Sequence, residues 1–285
     1  MSKFLTGDDL IEAIDDIIWD AQSILMIVSP YIKLDEYFKR LFDNHIRKPE
    51  LHIILIFGKN EQEVKRSMSK DDFDYFKKFP NISIIYVSSL HAKYYGNESR
   101  GVITSINLYD FSFKNNIEFG VFSEQSVLDR FKQTADNSAW NECFEIAESH
   151  AAIFIRRPVF EHKRSLISKS KNYLGSETLL DETDRFYGYF KKRKSSEKKF
   201  IEYPTELASD TIIESKPTRE KEDLPVHGFC IRTGVQIKFN PNQPMSKSAW
   251  KKWSEFGNEE YPEKFCHRSG KPSNGKTSMK NPVLG

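Results

Sequence analysis

The sequence predicts an α/β protein, a mixed β-sheet flanked by helices, with a small module at its C-terminal end. Three observations carry this reading. Apolar strand-like runs alternate with amphipathic helical segments up to about residue 90. After His91 the strand-like runs shorten, and no helical segment between them is long enough for a parallel crossover. A charged stretch without periodicity then separates this pattern from a segment rich in aromatic residues, Gly228 to Lys271.

Leu10, Ile11, Ile14, Ile17 and Ile18 recur at helical spacing behind the cap candidates Thr6 and Asp8, and SILMIV (Ser23 to Val28) reads as a buried strand closed by Ser29-Pro30. Leu34, Tyr37, Phe38, Leu41, Phe42 and Ile46 define a second helix, followed by the strand LHIILIF (Leu51 to Phe57), which ends at Gly58. A third helix is expected over Glu61 to Lys78 and a third strand over Ile82 to Val87. These strands are apolar on both faces, so the sheet should be covered on both sides. Val102 to Asn107 and Ile117 to Phe122 follow as shorter strands in a partly antiparallel region. A long helix bearing Leu128, Phe131, Ala135, Trp140, Phe144 and Ile146 closes the domain near Pro158.

No apolar run approaches the roughly 20 residues of a membrane span, and the N-terminus lacks the basic and then apolar pattern of a signal peptide. A cytoplasmic location is the expectation. Three cysteines (Cys143, Cys230, Cys266) make a poor disulfide framework and agree with a reducing compartment. The net charge of +2 conceals an asymmetry: residues 1–160 hold 19 Lys+Arg against 24 Asp+Glu, and the remainder 24 against 17. The second half is therefore either the source of attraction for a polyanion or a solvated charged linker. Within it, FYGYF (Phe186 to Phe190) directly precedes KKRKSSEKK (Lys191 to Lys199). This pairing suits bases stacked on the aromatics and phosphates held by Lys191, Lys192, Arg193 and Lys194. It equally suits an anchor of the linker on the body.

The chemistry concentrates between His91 and Glu118. His91 and Lys93 are two apart, as are Ser105 and Asn107, and residues two apart on a strand share a face. Phosphodiester cleavage needs a nucleophile, a proton donor to the leaving oxygen and groups that stabilise charge on the nonbridging oxygens. The imidazole of His91 suits either of the first two duties near neutral pH. Lys93 supplies a point charge, Asn107 an amide donor and Ser105 a hydroxyl, while Glu118 can accept the second imidazole N–H of His91 and fix its tautomer. Asn115 and Asn116 read as turn residues.

These residues resemble the signature of the phospholipase D superfamily, His-x-Lys followed after a loop by a small residue, Ser and Asn, and more closely its nuclease-type branch. The resemblance covers roughly residues 1–155 and includes the tripeptide Ser29-Pro30-Tyr31. It departs at the signature aspartate, whose place is taken by Glu98 in a loop one residue short, so the carboxylate role is assigned to Glu118. What the resemblance implies is a metal-independent mechanism through a phosphohistidine, with a second motif's histidine protonating the leaving group. The chain has one such motif, so a homodimer sharing a site is implied.

The segment Gly228 to Lys271 resembles a small zinc ribbon that some members of that superfamily carry. The frame is present without the ligands: Cys230 is followed at knuckle spacing by Thr233, Cys266 by Ser269, and the middle knuckle reads Ser246 and Ala249. Cys230 and Cys266 are weak metal candidates, best read as buried thiols, and no cofactor is expected. Phe229, Ile237, Phe239, Trp250, Trp253, Phe256, Tyr261 and Phe265 form either a core or a surface for a protein partner or nucleic acid.

The expected organisation is a phospholipase D-like catalytic domain over 1–158, a flexible charged linker over 159–225 and a degenerate zinc-ribbon-like module over 226–285. The leading function is a DNA endonuclease. The alternatives are a noncatalytic nucleic-acid-binding or scaffold subunit of a bacterial defence or restriction assembly and, with less support, a phospholipid-cleaving phosphodiesterase.

Overall fold

The computed structural model describes residues 2–58, 64–109, 116–124, 135–164, 169–188, 197–209, 225 and 227–284. The chain begins with an edge strand, β1 (Ser2–Thr6), that runs into helix α1 (Gly7–Asp20). Leu10, Ile14, Ile17 and Ile18 are all buried, and Thr6 makes no side-chain cap bond, so α1 is held by its apolar face rather than its cap. Strand β2 (Ile24–Ser29), the two-residue β3 (Ile32–Lys33) and α2 (Glu36–Asp43) follow. Asp35 caps α2 by accepting from the Phe38 N–H at 2.8 Å. Next come β4 (His52–Phe57), α3 (Val64–Ser67), α4 (Lys70–Phe76) and β5 (Ile82–Tyr86). The helix expected over Glu61 to Lys78 is thus divided, because Ser69 turns its hydroxyl to the Asp72 N–H at 3.1 Å and starts α4 afresh. Residues 61–63 lie outside the described residues.

Short strands follow: β6 (Tyr94–Asn97), β7 (Arg100–Thr104), β8 (Leu108–Tyr109) and β9 (Phe119–Glu124). Then come α5 (Ala135–Ser149), β10 (Ala152–Arg164), β11 (Lys169–Asp181), α6 (Thr183–Tyr187) and β12 (Leu207–Ala208). Leu128 and Phe131, expected at the start of the closing helix, lie outside the described residues. The sheet order is β1-β9-β7-β6-β2-β4-β5-β10-β11, with β12 beside β10. Strands β2, β4 and β5 are parallel, as the helices between them require, and β6, β7 and β9 pair antiparallel. Both faces are covered. Met26, Val28, Ile54, Ile56 and Ile85 pack with Cys143 and Ala147 of α5 and with Phe200. On the opposite face Phe57 meets Phe73 of α4, ring centroids 6.5 Å apart.

The first unit runs on to Asp210, past the boundary expected at residue 158. Pro158 lies inside β10, opposite Ser176 of β11 and beyond the ladder with β5, which ends at Arg156. Much of the segment expected as linker is therefore a strand hairpin on the sheet. Arg157 explains why it is fixed there. Its guanidinium is buried and donates to the carbonyls of Pro204 (2.8 Å) and Ile82 (3.0 Å) and to Ser83 Oγ (2.8 Å). A charge-rich segment gave no apolar period to reveal this. In the FYGYF run, Phe186 meets Tyr86 edge-to-face at 5.3 Å, and Tyr187 is buried on Phe73 with its hydroxyl donating to the Met68 carbonyl at 3.2 Å. Those two aromatics anchor the chain on the body. Lys191, Lys192, Arg193 and Lys194 lie outside the described residues.

The second unit, Thr211–Gly285, contains β13 (His227–Phe229), β14 (Gln236–Lys238), α7 (Lys247–Ser254), β15 (Glu263–Phe265) and β16 (Pro272–Thr277). It is built on a repeat that the sequence reading overlooked, Phe229-Cys230-Ile231-Arg232-Thr233-Gly234 and Phe265-Cys266-His267-Arg268-Ser269-Gly270. In each copy the glycine N–H bonds the cysteine carbonyl at 2.8 Å, with glycine φ values of 74° and 68°. The copies also bind each other reciprocally: Phe229 N–H donates to His267 O, and Phe265 N–H to Ile231 O, both at 2.8 Å. Each phenylalanine ring covers the other copy's glycine, where a Cβ would come within 2.8 Å of Phe229 or 3.2 Å of Phe265. Trp250 and Trp253 are buried, whereas Phe256 and Tyr261 are exposed around a cavity of 490 Å³ that includes Arg232. The aromatic set thus divides between core and surface.

Candidate active site

The antiparallel order β9-β7-β6 decides where the motif residues meet. Tyr94 pairs with Ile103, and Thr104 with Gly120. The residues just before β6, just after β7 and just before β9 therefore lie at one end of three adjacent strands. Those residues are His91 and Lys93, Ser105 and Asn107, and Glu118. The polar pairs were expected on strands, but none of the five sits within one: β7 stops at Thr104, and the five occupy the strand ends. Main-chain pairing nevertheless continues to them, with Thr104 N–H donating to Lys93 O at 3.2 Å and Ser105 N–H to Phe119 O at 3.0 Å.

His91 is exposed, and the Lys93 ammonium donates to its carbonyl at 3.1 Å. Ser105 Oγ donates to Glu118 Oε2 in a short hydrogen bond and accepts from the Phe119 N–H at 3.1 Å. Asn116 Nδ2 donates to the other Glu118 oxygen at 3.3 Å, so Asn116 has a role at the site beyond that of a turn residue. Asn107 Oδ1 is buried without a hydrogen-bond partner, a costly arrangement for a folded chain unless a ligand or water completes it.

The support beneath this end comes from residues to which the sequence assigned no role at the site. Ser29, in the tripeptide Ser29-Pro30-Tyr31, donates to Tyr31 O at 2.7 Å and accepts from the Leu108 N–H at 3.0 Å, which fixes the chain just after Asn107. Tyr95 is fully buried and donates to Ile106 O at 3.1 Å. Burial raises the Tyr95 phenol far above its ordinary value, and the nearby Glu118 charge adds to the rise. The tripeptide and the tyrosine pair after His-x-Lys were the available sequence signals. Glu98 is placed elsewhere, at the other end of β6, where its oxygens accept from the N–H groups of Gln22 (3.0 Å), Ser23 (3.2 Å) and Ile24 (3.3 Å).

Both thiols of the second unit are hydrogen-bonded. Cys230 Sγ accepts from Ser246 Oγ at 3.7 Å and Cys266 Sγ from the Leu284 N–H at 3.4 Å. Burial raises both thiols, but hydrogen bonds from Thr233 and Ser269 and from backbone N–H groups outweigh it and leave both lowered. His267 is held between two backbone groups. Its Nδ1 bonds Phe229 O at 2.7 Å and its Nε2 accepts from the Asn240 N–H at 2.8 Å, so both ring nitrogens are engaged. Among the described residues no three His, Cys, Asp or Glu side chains converge on a metal position.

No protein-family model matches the chain, and no curated protein matches it in sequence. Among solved structures it is similar to NucT from Helicobacter pylori, at 14% identity and a TM-score of 0.43, over 53% of this chain and 98% of that one. It is also similar to Nuc from Salmonella typhimurium, described as a phospholipase D family member, at 10% identity and a TM-score of 0.41, over 53% and 98%. A third similarity is to a phosphatidylserine synthase from Haemophilus influenzae, at 9% identity and a TM-score of 0.36, over 56% of this chain and 48% of that one.

Proposed function

We propose that the chain is a phospholipase D-like phosphodiesterase, a DNA endonuclease that works through a phosphohistidine at a site completed by a second copy of itself. One observation carries the reading: His91, Lys93, Ser105, Asn107 and Glu118 meet at one end of β6, β7 and β9, with a Ser105–Glu118 hydrogen bond and an unpartnered Asn107 oxygen. Among the described residues no helix is long and apolar enough to cross a membrane.

In this reading the His91 imidazole attacks phosphorus, and a P–N bond forms as the P–O bond to the leaving oxygen breaks. That oxygen takes its proton from His91 of the partner subunit, which enters as imidazolium. Water then attacks the phosphohistidine and gives its proton to that second, now neutral, imidazole. The P–N electron pair returns to the first His91. Lys93 and the Asn107 amide hold the nonbridging oxygens while charge builds on them. Glu118 keeps one oxygen on Ser105 and has acceptor capacity left to orient the His91 ring. A protein partner for the second unit would cover the exposed Phe256 and Tyr261.

The test is incubation of purified protein with DNA, RNA and phosphatidylcholine in EDTA, beside His91→Ala. DNA cleavage that survives the chelator and disappears in the variant supports the proposal. Binding of DNA without cleavage would instead make the chain a nucleic-acid-binding subunit. A monomer by light scattering that retains full activity would sink the shared site.

A further inference from the structure

Beside Asn107 lies a cavity of 560 Å³ whose wall includes Tyr31, Lys33, Lys65, Arg66, Asn107 and Tyr109. The small parallel pair β3–β8 sets its geometry, with Ile32 opposite Leu108 and Lys33 opposite Tyr109. The Lys33 ammonium sits 5.3 Å from the Tyr109 ring centroid. The Tyr109 N–H bonds back to the Asn107 carbonyl at 2.7 Å, and both residues line the cavity, so the site and the cavity are continuous.

The charge at this cavity runs against that of the surrounding chain, since residues 1–160 hold 19 Lys+Arg against 24 Asp+Glu. Four cations line the cavity, Lys33, Lys39, Lys65 and Arg66, against Asp71 and Asp72. Lys39 has Glu36 beside it at 3.6 Å. Asp72 is buried and engaged with the Leu34 N–H (3.4 Å) and the Ser69 hydroxyl (2.7 Å). Among the described residues, Lys33, Lys65 and Arg66 are exposed at the cavity, and Asp71 is the exposed carboxylate of its wall. Cations gathered in a concave site within an acidic body focus potential on an anion.

We propose that this cavity is a second phosphate subsite, which takes the phosphodiester group adjacent to the scissile one in a polynucleotide strand. The proposal rests on the phosphodiesterase reading of the site beside it. A phospholipid would carry a single diester here and need apolar walls for its acyl chains. The apolar wall residues Ile32 and Leu34 are instead buried in the body, 2% and 6% exposed. Polar and cationic groups remain, and the wall also includes the Tyr31 and Tyr109 rings, the kind of surface on which a base can stack.

The experiment measures binding, separately from chemistry, in a His91→Ala background by fluorescence anisotropy with labelled oligothymidylates. A trinucleotide, with two diesters, should bind more tightly than a dinucleotide, with one, and Lys65→Ala/Arg66→Ala should abolish that gain. For a longer single strand the double variant should weaken affinity about tenfold and make the log–log salt dependence shallower by about 1.4. Lys33→Ala should act in the same direction, while Lys70→Ala, which removes a cation paired with Asp74 away from this wall, should give a smaller loss. Equal binding of the two short oligonucleotides, or equal losses from Lys65→Ala/Arg66→Ala and Lys70→Ala, would overturn the subsite. Failure of the phosphodiesterase reading is a different result: wild type that binds with the length dependence described but hydrolyses neither DNA nor bis(p-nitrophenyl) phosphate.

Discussion

The two ends of strand β6 carry the same kinds of side chain in opposite roles. At one end Glu98 accepts three backbone N–H groups from the turn between α1 and β2, and Asn97 bonds Ile17 O at 2.8 Å, so the polar groups close the fold on itself. At the other end Glu118 binds a hydroxyl and an amide, His91 is exposed, and Asn107 leaves an oxygen without a partner. The contrast separates polarity that closes the fold from polarity left open at a cavity more clearly than residue type does. Carboxylates engaged by the backbone stabilise one conformation, whereas those that bond side chains at a cavity keep capacity for a ligand.

The largest expected effect lies at the open end. His91→Ala should lower DNA cleavage by about a thousandfold or more while leaving oligonucleotide binding measurable by anisotropy; a loss of less than tenfold would place the nucleophile elsewhere. Glu118→Gln should reduce cleavage by about 10² with little change in melting temperature. The reverse is expected for Glu98→Ala, which should cost about 1–3 kcal/mol of stability in denaturant melts and spare turnover. If Glu98→Ala removes activity without destabilising, the two ends have been assigned the wrong way round.

Acid tests the closed body. Burial lowers His45 and His52 from their ordinary value to about 3. In the unfolded chain each titrates near 6.5. Below that pH the unfolded state binds more protons, so the stability these neutral rings contribute is present above 6.5 and is lost as pH falls toward about 3. Melts between pH 7 and pH 4 should show a progressive decline, less steep in His52→Gln. The smallest effect is expected in the second unit. EDTA should leave its unfolding transition in place in the full chain, and metal analysis should find zinc below stoichiometry. A chelator-dependent transition would show that its thiols do coordinate a metal.

What the sequence made legible follows from periodicity. Leu10, Ile14, Ile17 and Ile18 revealed α1, and the apolar runs Ser23 to Val28, Leu51 to Phe57 and Ile82 to Val87 marked the central strands, because burial on both faces leaves a plain compositional trace. The five motif residues were identified by type and spacing, although they lie at strand ends and not within strands. The β10–β11 hairpin was missed because its strands are charge-rich, and one buried arginine, through hydrogen bonds invisible in sequence, ties Pro204 to β5. The knuckle positions Cys230–Thr233 and Cys266–Ser269 were legible from cysteine spacing, but their pairing as copies of Phe-Cys-x-Arg-Thr/Ser-Gly rests on reciprocal backbone bonds 30 or more residues apart.

By itself, then, the sequence determined the alternating fold, the identity of the chemical groups and the likeness that suggests their reaction. Only the tertiary structure decided how Glu118 is held between Ser105 and Asn116, which cysteine neighbours are hydroxyls engaged with sulfur, and that cations from β3 and α3 meet beside Asn107. The physical reason is range. Apolar period and residue spacing are local properties, but whether a polar group is satisfied depends on partners tens of residues away, and it is satisfaction that separates a site from a scaffold.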